Sequence, residues 1–140
     1  MPDTIENIAE KAGKSNSLAT ELTLGRGTDD ERTYEILPLL GERENPINGH
    51  EMIRRAKELA AHLGADHRQF FLDHQAEIPP ELRCYIFAFT DDTRTEGRQI
   101  LVSDIYWRNG AWKLYWSKRN LSWNGRVRVL RRVLSRPLAA

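Results

Sequence analysis

The sequence has a single cysteine, Cys84, among its 140 residues, so it cannot form an internal disulfide and nothing in it indicates secretion. Its longest wholly apolar run ends at Phe89 after six residues, whereas a membrane-spanning helix needs roughly 20. The first residues include Asp3, Glu6 and Glu10 and lack the apolar core of a signal peptide. These absences lead us to expect a cytoplasmic protein.

The sequence also lacks the short motifs of common catalytic and metal sites. It has no Gly-x-Ser-x-Gly elbow, no phosphate-binding loop, no Cys-x-x-Cys pair and no His-Glu-x-x-His helix. His67 and His74 would lie two helical turns apart, roughly 10 Å, which is too far for one metal ion without other ligands. We therefore expect neither a metal nor a cofactor. A small enzyme with an unrecognised acid–base site stays an alternative, because carboxylates that meet only in the fold leave no sequence motif.

Acidic residues are absent from the last part of the chain, from Ile105 to Ala140. This stretch holds nine Lys and Arg side chains, whereas the first 104 residues carry eight more acidic than basic residues. The formal net charge is only +1, so the two parts can neutralise each other within one fold. The basic part can also bind an acidic partner, and both interpretations stay open.

What the chain does contain is the pattern of an α+β fold. Five segments have the residue pattern of strands: 18–24, 33–37, 83–90, 98–108 and 111–120. Two segments have apolar residues at helical spacing: 50–63 and 66–77. The strand at 83–90 is apolar on both sides, which is typical of a central strand.

These segments predict an antiparallel sheet of about five strands with a helical hairpin packed on one face. A single α+β domain would cover 18–136. A flexible N-terminal tail would precede it at 1–17, and a short C-terminal tail would follow at 137–140.

Asn109-Gly110 lies between two strand-like runs and predicts a two-residue turn, because both turn positions must tolerate positive φ. Such a turn determines the register, so Trp107 should face Trp112 and Asp104 should face Tyr115. One face then holds the expected core residues: Leu101, Ile105, Trp107, Trp112, Leu114 and Trp116. The other holds polar and tyrosine side chains, which we expect to lie in solvent: Asp104, Tyr106, Arg108, Lys113, Tyr115 and Arg119.

The basic segment from Arg126 to Arg136 permits two interpretations. At helical spacing its apolar residues form one stripe, which consists of Val127, Leu130, Val133 and Leu134. Three arginines lie opposite this stripe: Arg128, Arg131 and Arg132. As a strand, Val127 and Val129 would alternate with arginines after a turn at Asn124-Gly125. We favour the helix, because only helical spacing gathers four apolar residues on one side.

Tyrosine and arginine are enriched at interfaces, and arginine suits acidic groups. We therefore expect a small non-catalytic binding or accessory module that contacts an acidic partner through its basic C-terminal region and the polar hairpin face. The residues expected to carry this contact are Tyr106, Arg108, Lys113, Tyr115, Arg119, Arg128, Arg131 and Arg132. The alternative partner is nucleic acid, bound by the C-terminal arginines or by residues 55–74, where Ala60, Gly64 and Phe70 resemble the core of a helix-turn-helix.

Overall fold

A computed structural model describes residues 20–134 as a six-stranded sheet with a helix on each face. The strands are β1 (Glu21–Leu24), β2 (Arg32–Pro38), β3 (Ile47–Asn48), β4 (Ile86–Glu96), β5 (Gln99–Arg108), β6 (Ala111–Lys118), β7 (Ser122–Trp123) and β8 (Val127–Val133). The sheet has the order β1-β2-β8-β4-β5-β6, and β3 pairs with β7 as a separate ribbon. All neighbours in the sheet are antiparallel except β4 and β8. The α+β class and the mostly antiparallel sheet are thus confirmed.

The two helices are α1 (Gly49–Glu58) and α2 (Ala65–Asp73). Asn48 caps α1, since its side-chain oxygen accepts a hydrogen bond from the Glu51 N–H at 3.0 Å. The helix ends before the predicted position, because Ala60 adopts a positive φ of 57° that turns the chain out of the helix. Two short 3-10 turns follow α2, at Gln75–Glu77 and Pro80–Cys84.

The helices lie on opposite faces of the sheet, so the expected helical hairpin on one face matches the structure only roughly. Phe87 and Phe89 of β4 belong to the same core cluster as Phe71 of α2. Ala88, between them in the strand, belongs to a second cluster with Met52 of α1. Because successive side chains of a strand point to opposite faces, α1 and α2 cover the two sides of the sheet.

The helix predicted for Arg126 to Arg136 is wrong, since Val127–Val133 forms β8. This strand pairs with β2 on one side and β4 on the other. Val127 and Val129 enter the α1 cluster, whereas Leu130 enters the α2 cluster. A strand buried on both faces shows no clean two-residue alternation, and its periodicity is easily taken for that of a helix.

The tails expected at 1–17 and 137–140 lie outside the described residues, and the domain bounds stay a prediction. Within 20–134, no helix combines the length and the apolar character needed to cross a membrane.

Gly49 is the point of closest approach between α1 and the chain that follows β6. Its N–H donates a hydrogen bond to the carbonyl of Arg119 at 2.7 Å. A Cβ atom at position 49 would overlap this carbonyl oxygen. Only glycine therefore lets the start of α1 lie against the backbone at Arg119.

We predict that Gly49→Ala lowers the free energy of unfolding by about 1–3 kcal/mol, because α1 must shift away from Arg119. Gly125→Ala is the matched control, since a Cβ there meets no atom within 4 Å, and it should change stability by about 0.5 kcal/mol or less. Urea denaturation of the three proteins measures both effects. Equal stability of the two variants would contradict the close approach.

Candidate functional site

The hairpin of β5 and β6 has the predicted register. Asn109 and Gly110 form its turn with positive φ values of 52° and 83°. Trp107 pairs with Trp112, and the same register extends along both strands. The prediction from the Asn-Gly turn is therefore confirmed.

The tryptophans lie on the face that α2 covers. Trp112 is 2% exposed and packs in the α2 cluster, as predicted. Trp107 and Trp116 are only half-buried, and each is covered by a cation. The Arg83 guanidinium lies 3.7 Å from the Trp107 ring centroid, and that of Arg94 lies 4.5 Å from the ring of Trp116.

Two tyrosines form a stacked pair on the opposite face of the hairpin. The rings of Tyr106 and Tyr115 are nearly parallel, at 11°, with centroids 4.1 Å apart. Arg108 is exposed beside them, and its contact with the hydroxyl of Tyr115, followed by that of Tyr106, raises the pKa of the guanidinium. Lys113 is also exposed and lies directly across from Tyr106. We call these four residues the tyrosine face.

Arg119, which was expected on the same surface, lies beyond β6. Its backbone N–H donates to the carbonyl of Ile100 at 2.8 Å. It lines a polar pocket of about 120 Å³ together with His50 and Arg98.

The structure does not gather the predicted C-terminal arginines into one surface. Arg128 stacks on Tyr85 at 4.1 Å, and Arg131 forms an ion pair with Glu35 at 2.8 Å. Arg132 is half-buried and pairs across the strands with Tyr34. Since alternate side chains of β8 point to opposite faces, Arg131 lies on a different side of the sheet from the other two.

The sequence interpretation was wrong about the exposure of the Asp104 side chain. It was expected in solvent beside Tyr106, but it is only 2% exposed. The Ser117 hydroxyl donates a hydrogen bond to its carboxylate at 2.7 Å. Burial raises the pKa of Asp104 to about 6, and this hydrogen bond opposes the shift only in part.

A pocket of about 150 Å³ reaches the Asp104 carboxyl from the surface. Its walls are mainly apolar and aromatic: Ile86, Tyr106, Leu121, Trp123 and Val127. Its polar groups besides the carboxyl come from three short side chains: Ser117, Ser122 and Asn124. We call this cavity the Asp104 pocket. A buried acid with a pKa of about 6 that lines such a pocket can ion-pair with a bound group or exchange a proton with it.

Trp123 is held over the pocket by the ribbon of β3 and β7. It pairs with Ile47 across this ribbon and is 6% exposed. Its indole Nε1 is buried and has no hydrogen-bond acceptor within residues 20–134. A buried donor without an acceptor is uncommon in folded proteins.

The histidines that the sequence raised as candidates are engaged in the fold. His67 Nδ1 lies 2.8 Å from the buried Tyr34 hydroxyl, and burial, followed by the charge of Arg32, lowers the pKa of His67. His74 Nδ1 lies 2.9 Å from the backbone carbonyl of Phe70. In the described part of the chain, no group of three His, Cys, Asp or Glu side chains is placed to hold a metal ion.

We predict that Asp104→Asn removes a pH-dependent loss of stability. Because the folded pKa of about 6 exceeds the ordinary 3.8, the folded state binds the proton more tightly, and ionisation of Asp104 destabilises the fold as pH rises from about 4 to about 7. A pKa difference of about two corresponds to about 3 kcal/mol. As pH rises through this range, the free energy of unfolding of the variant should increase relative to that of the wild type by up to about 3 kcal/mol. Urea denaturation at several pH values measures the difference. Parallel pH curves for the two proteins would show that Asp104 ionises normally.

The tyrosine face and the Asp104 pocket meet at Tyr106, whose ring stacks on Tyr115 and also lines the pocket. Comparisons with protein-family models, with curated proteins and with solved structures find no match for this chain. A functional proposal therefore depends on the geometry of these two neighbouring sites.

Proposed function

We propose that this protein is a small non-catalytic binding module that contacts an acidic protein through the tyrosine face. The observation that carries the proposal is the placement of Arg108 and Lys113 beside the stacked Tyr106–Tyr115 pair. Both cations are exposed, and both tyrosines are half-buried. This arrangement offers positive charge, hydroxyl groups and a flat aromatic surface within one patch.

Several arginines of the fold have their charge offset by a carboxylate of the chain. Arg54, Arg55, Arg68 and Arg131 each form an ion pair with a carboxylate of the chain. Within residues 20–134, neither Arg108 nor Lys113 has such a pair with Asp or Glu. Their charge is therefore available to an outside carboxylate, which can also accept hydrogen bonds from the tyrosine hydroxyls.

The stacked tyrosines make the surface rigid before a partner arrives. Their side chains are already ordered by the stacking and by the pairing of β5 with β6. Association therefore costs little additional side-chain entropy, which is one reason that tyrosine is common among residues that dominate binding.

The tyrosine face supports an acidic protein better than a nucleic acid. The nucleic-acid alternative depended on the C-terminal arginines, but Arg128 and Arg131 are engaged with Tyr85 and Glu35. It also depended on residues 55–74, in which α1 and α2 pack on opposite faces of the sheet. A helix-turn-helix instead places its second helix against the first and presents it to the major groove.

The test is fluorescence anisotropy with a labelled poly-glutamate peptide and a single-stranded DNA of matched length, at about 50 mM and about 0.3 M salt. The wild type should bind the peptide, more weakly at the higher salt. The double variant Arg108→Ala/Lys113→Ala should bind at least about tenfold more weakly, since it loses both cations of the face.

The control variant, Arg26→Ala/Lys57→Ala, removes the same charge from two other exposed positions and should lose about twofold or less. Equal losses in the two double variants would show that net charge alone attracts the peptide and would overturn the proposal. Tighter binding of the DNA, abolished by the same tyrosine-face variant, would favour the nucleic-acid alternative.

A further inference from the structure

The Asp104 carboxyl is a buried acid that has no counter-ion among residues 20–134. Ala88 of β4 and Tyr115 of β6 lie directly across from it on the two neighbouring strands, and Ser117 is its hydrogen-bond donor. In the described part of the chain, the titratable side chains next to it on this face are Tyr106 and Tyr115, which carry no positive charge. Its pKa is raised by burial, with no contribution from a Lys, Arg or His side chain. An ionised carboxylate in such a place is costly unless a cation joins it.

The pocket gives a cation access to this carboxyl. Its volume of about 150 Å³ is comparable to a cavity that holds a benzene molecule, or about six non-hydrogen atoms. Ile86 and Val127 supply aliphatic surface for a short carbon chain, and Leu121, which is half exposed, lies at the solvent side. The cavity therefore suits a small ligand with one polar end.

We propose that the Asp104 pocket binds a small organic cation, namely a primary ammonium group on a short apolar arm. The ammonium lies against the Asp104 carboxylate and the Ser117 hydroxyl oxygen, and the arm extends between Ile86 and Val127. Tyr106 and Trp123 line the same space, and aromatic rings attract cations.

Other ligand classes fit this pocket less well. An anion would meet the Asp104 carboxylate, and none of the pocket walls that residues 20–134 provide carries a basic side chain to offset it. A divalent metal ion would need several oxygen ligands, whereas Asp104 is the one carboxylate among the described residues that line the cavity. A neutral apolar molecule would leave the buried charge without a partner.

The test titrates n-butylammonium into the full-length protein and follows the indole N–H signal of Trp123 by NMR, assigned with Trp123→Phe. Uncharged n-butanol and anionic butyrate are the matched probes, since they share the carbon arm. We expect a saturable shift with n-butylammonium and binding at least about tenfold weaker for the other two.

The pH dependence connects binding to the carboxyl. An alkylammonium stays protonated well above neutral pH, as lysine does. Its affinity should therefore rise as pH increases through about 6 and Asp104 ionises. Ser117→Ala should move this midpoint to higher pH, because the Ser117 hydrogen bond favours the ionised carboxylate.

The Asn side chain of Asp104→Asn has nearly the same shape as the wild-type Asp. This variant should bind n-butylammonium at least about tenfold more weakly, and its affinity should no longer depend on pH. Equal binding of n-butanol to the wild type would overturn the proposal without any variant, as would the absence of saturation by n-butylammonium. Arg108→Ala/Lys113→Ala should leave this binding unchanged, so the tyrosine face and the Asp104 pocket are tested separately.

Discussion

The side-chain alternation set by the two-residue turn at Asn109-Gly110 governs the arrangement of both candidate sites. With Trp107 paired to Trp112, every second residue of β5 and β6 points toward α2 and the others point away. Tyr106, Tyr115 and Asp104 therefore share one face of the hairpin. A register shifted by one residue would turn these groups toward the α2 cluster and the tryptophans toward solvent.

The second face of the hairpin becomes a site because other parts of the chain cover half of it. The β3–β7 ribbon places Trp123 over β5, and β8 brings Val127 beside the Asp104 pocket. The same face stays open toward the turn, where Arg108 and Lys113 are exposed. One surface thus changes over a short distance from an open cationic patch to a cavity that contains a buried carboxyl.

A local signal predicted the hairpin, because the turn at Asn109-Gly110 acts over a few residues. The apolar pattern of the 83–90 strand on both sides also indicated a central strand, and β4 is covered by both core clusters. A strand that is apolar on both sides must be covered on both faces of its sheet, and α1 and α2 provide this cover. Periodicity alone could not separate β8 from a helix, since Val129 and Leu130 are buried on opposite faces.

The environment of Asp104 had no local signal at all. Its neighbours in sequence, Ser103 and Ile105, are equally compatible with a carboxyl in solvent. The residues beside the Asp104 side chain include Ile86 and Trp123, which are 18 and 19 residues away in the chain. The alternation of a strand states which face a side chain occupies, but not whether another element covers that face.

The Asp104 pocket depends on the burial of this carboxyl beneath a covered hairpin face, and an NMR titration of the side-chain carboxyl carbon of Asp104 tests that burial directly. We expect a titration midpoint of about 6, because burial with no counter-ion among residues 20–134 favours the protonated acid. A midpoint at the ordinary value of 3.8 would show that the carboxyl is solvated or paired, and would contradict the pocket as described.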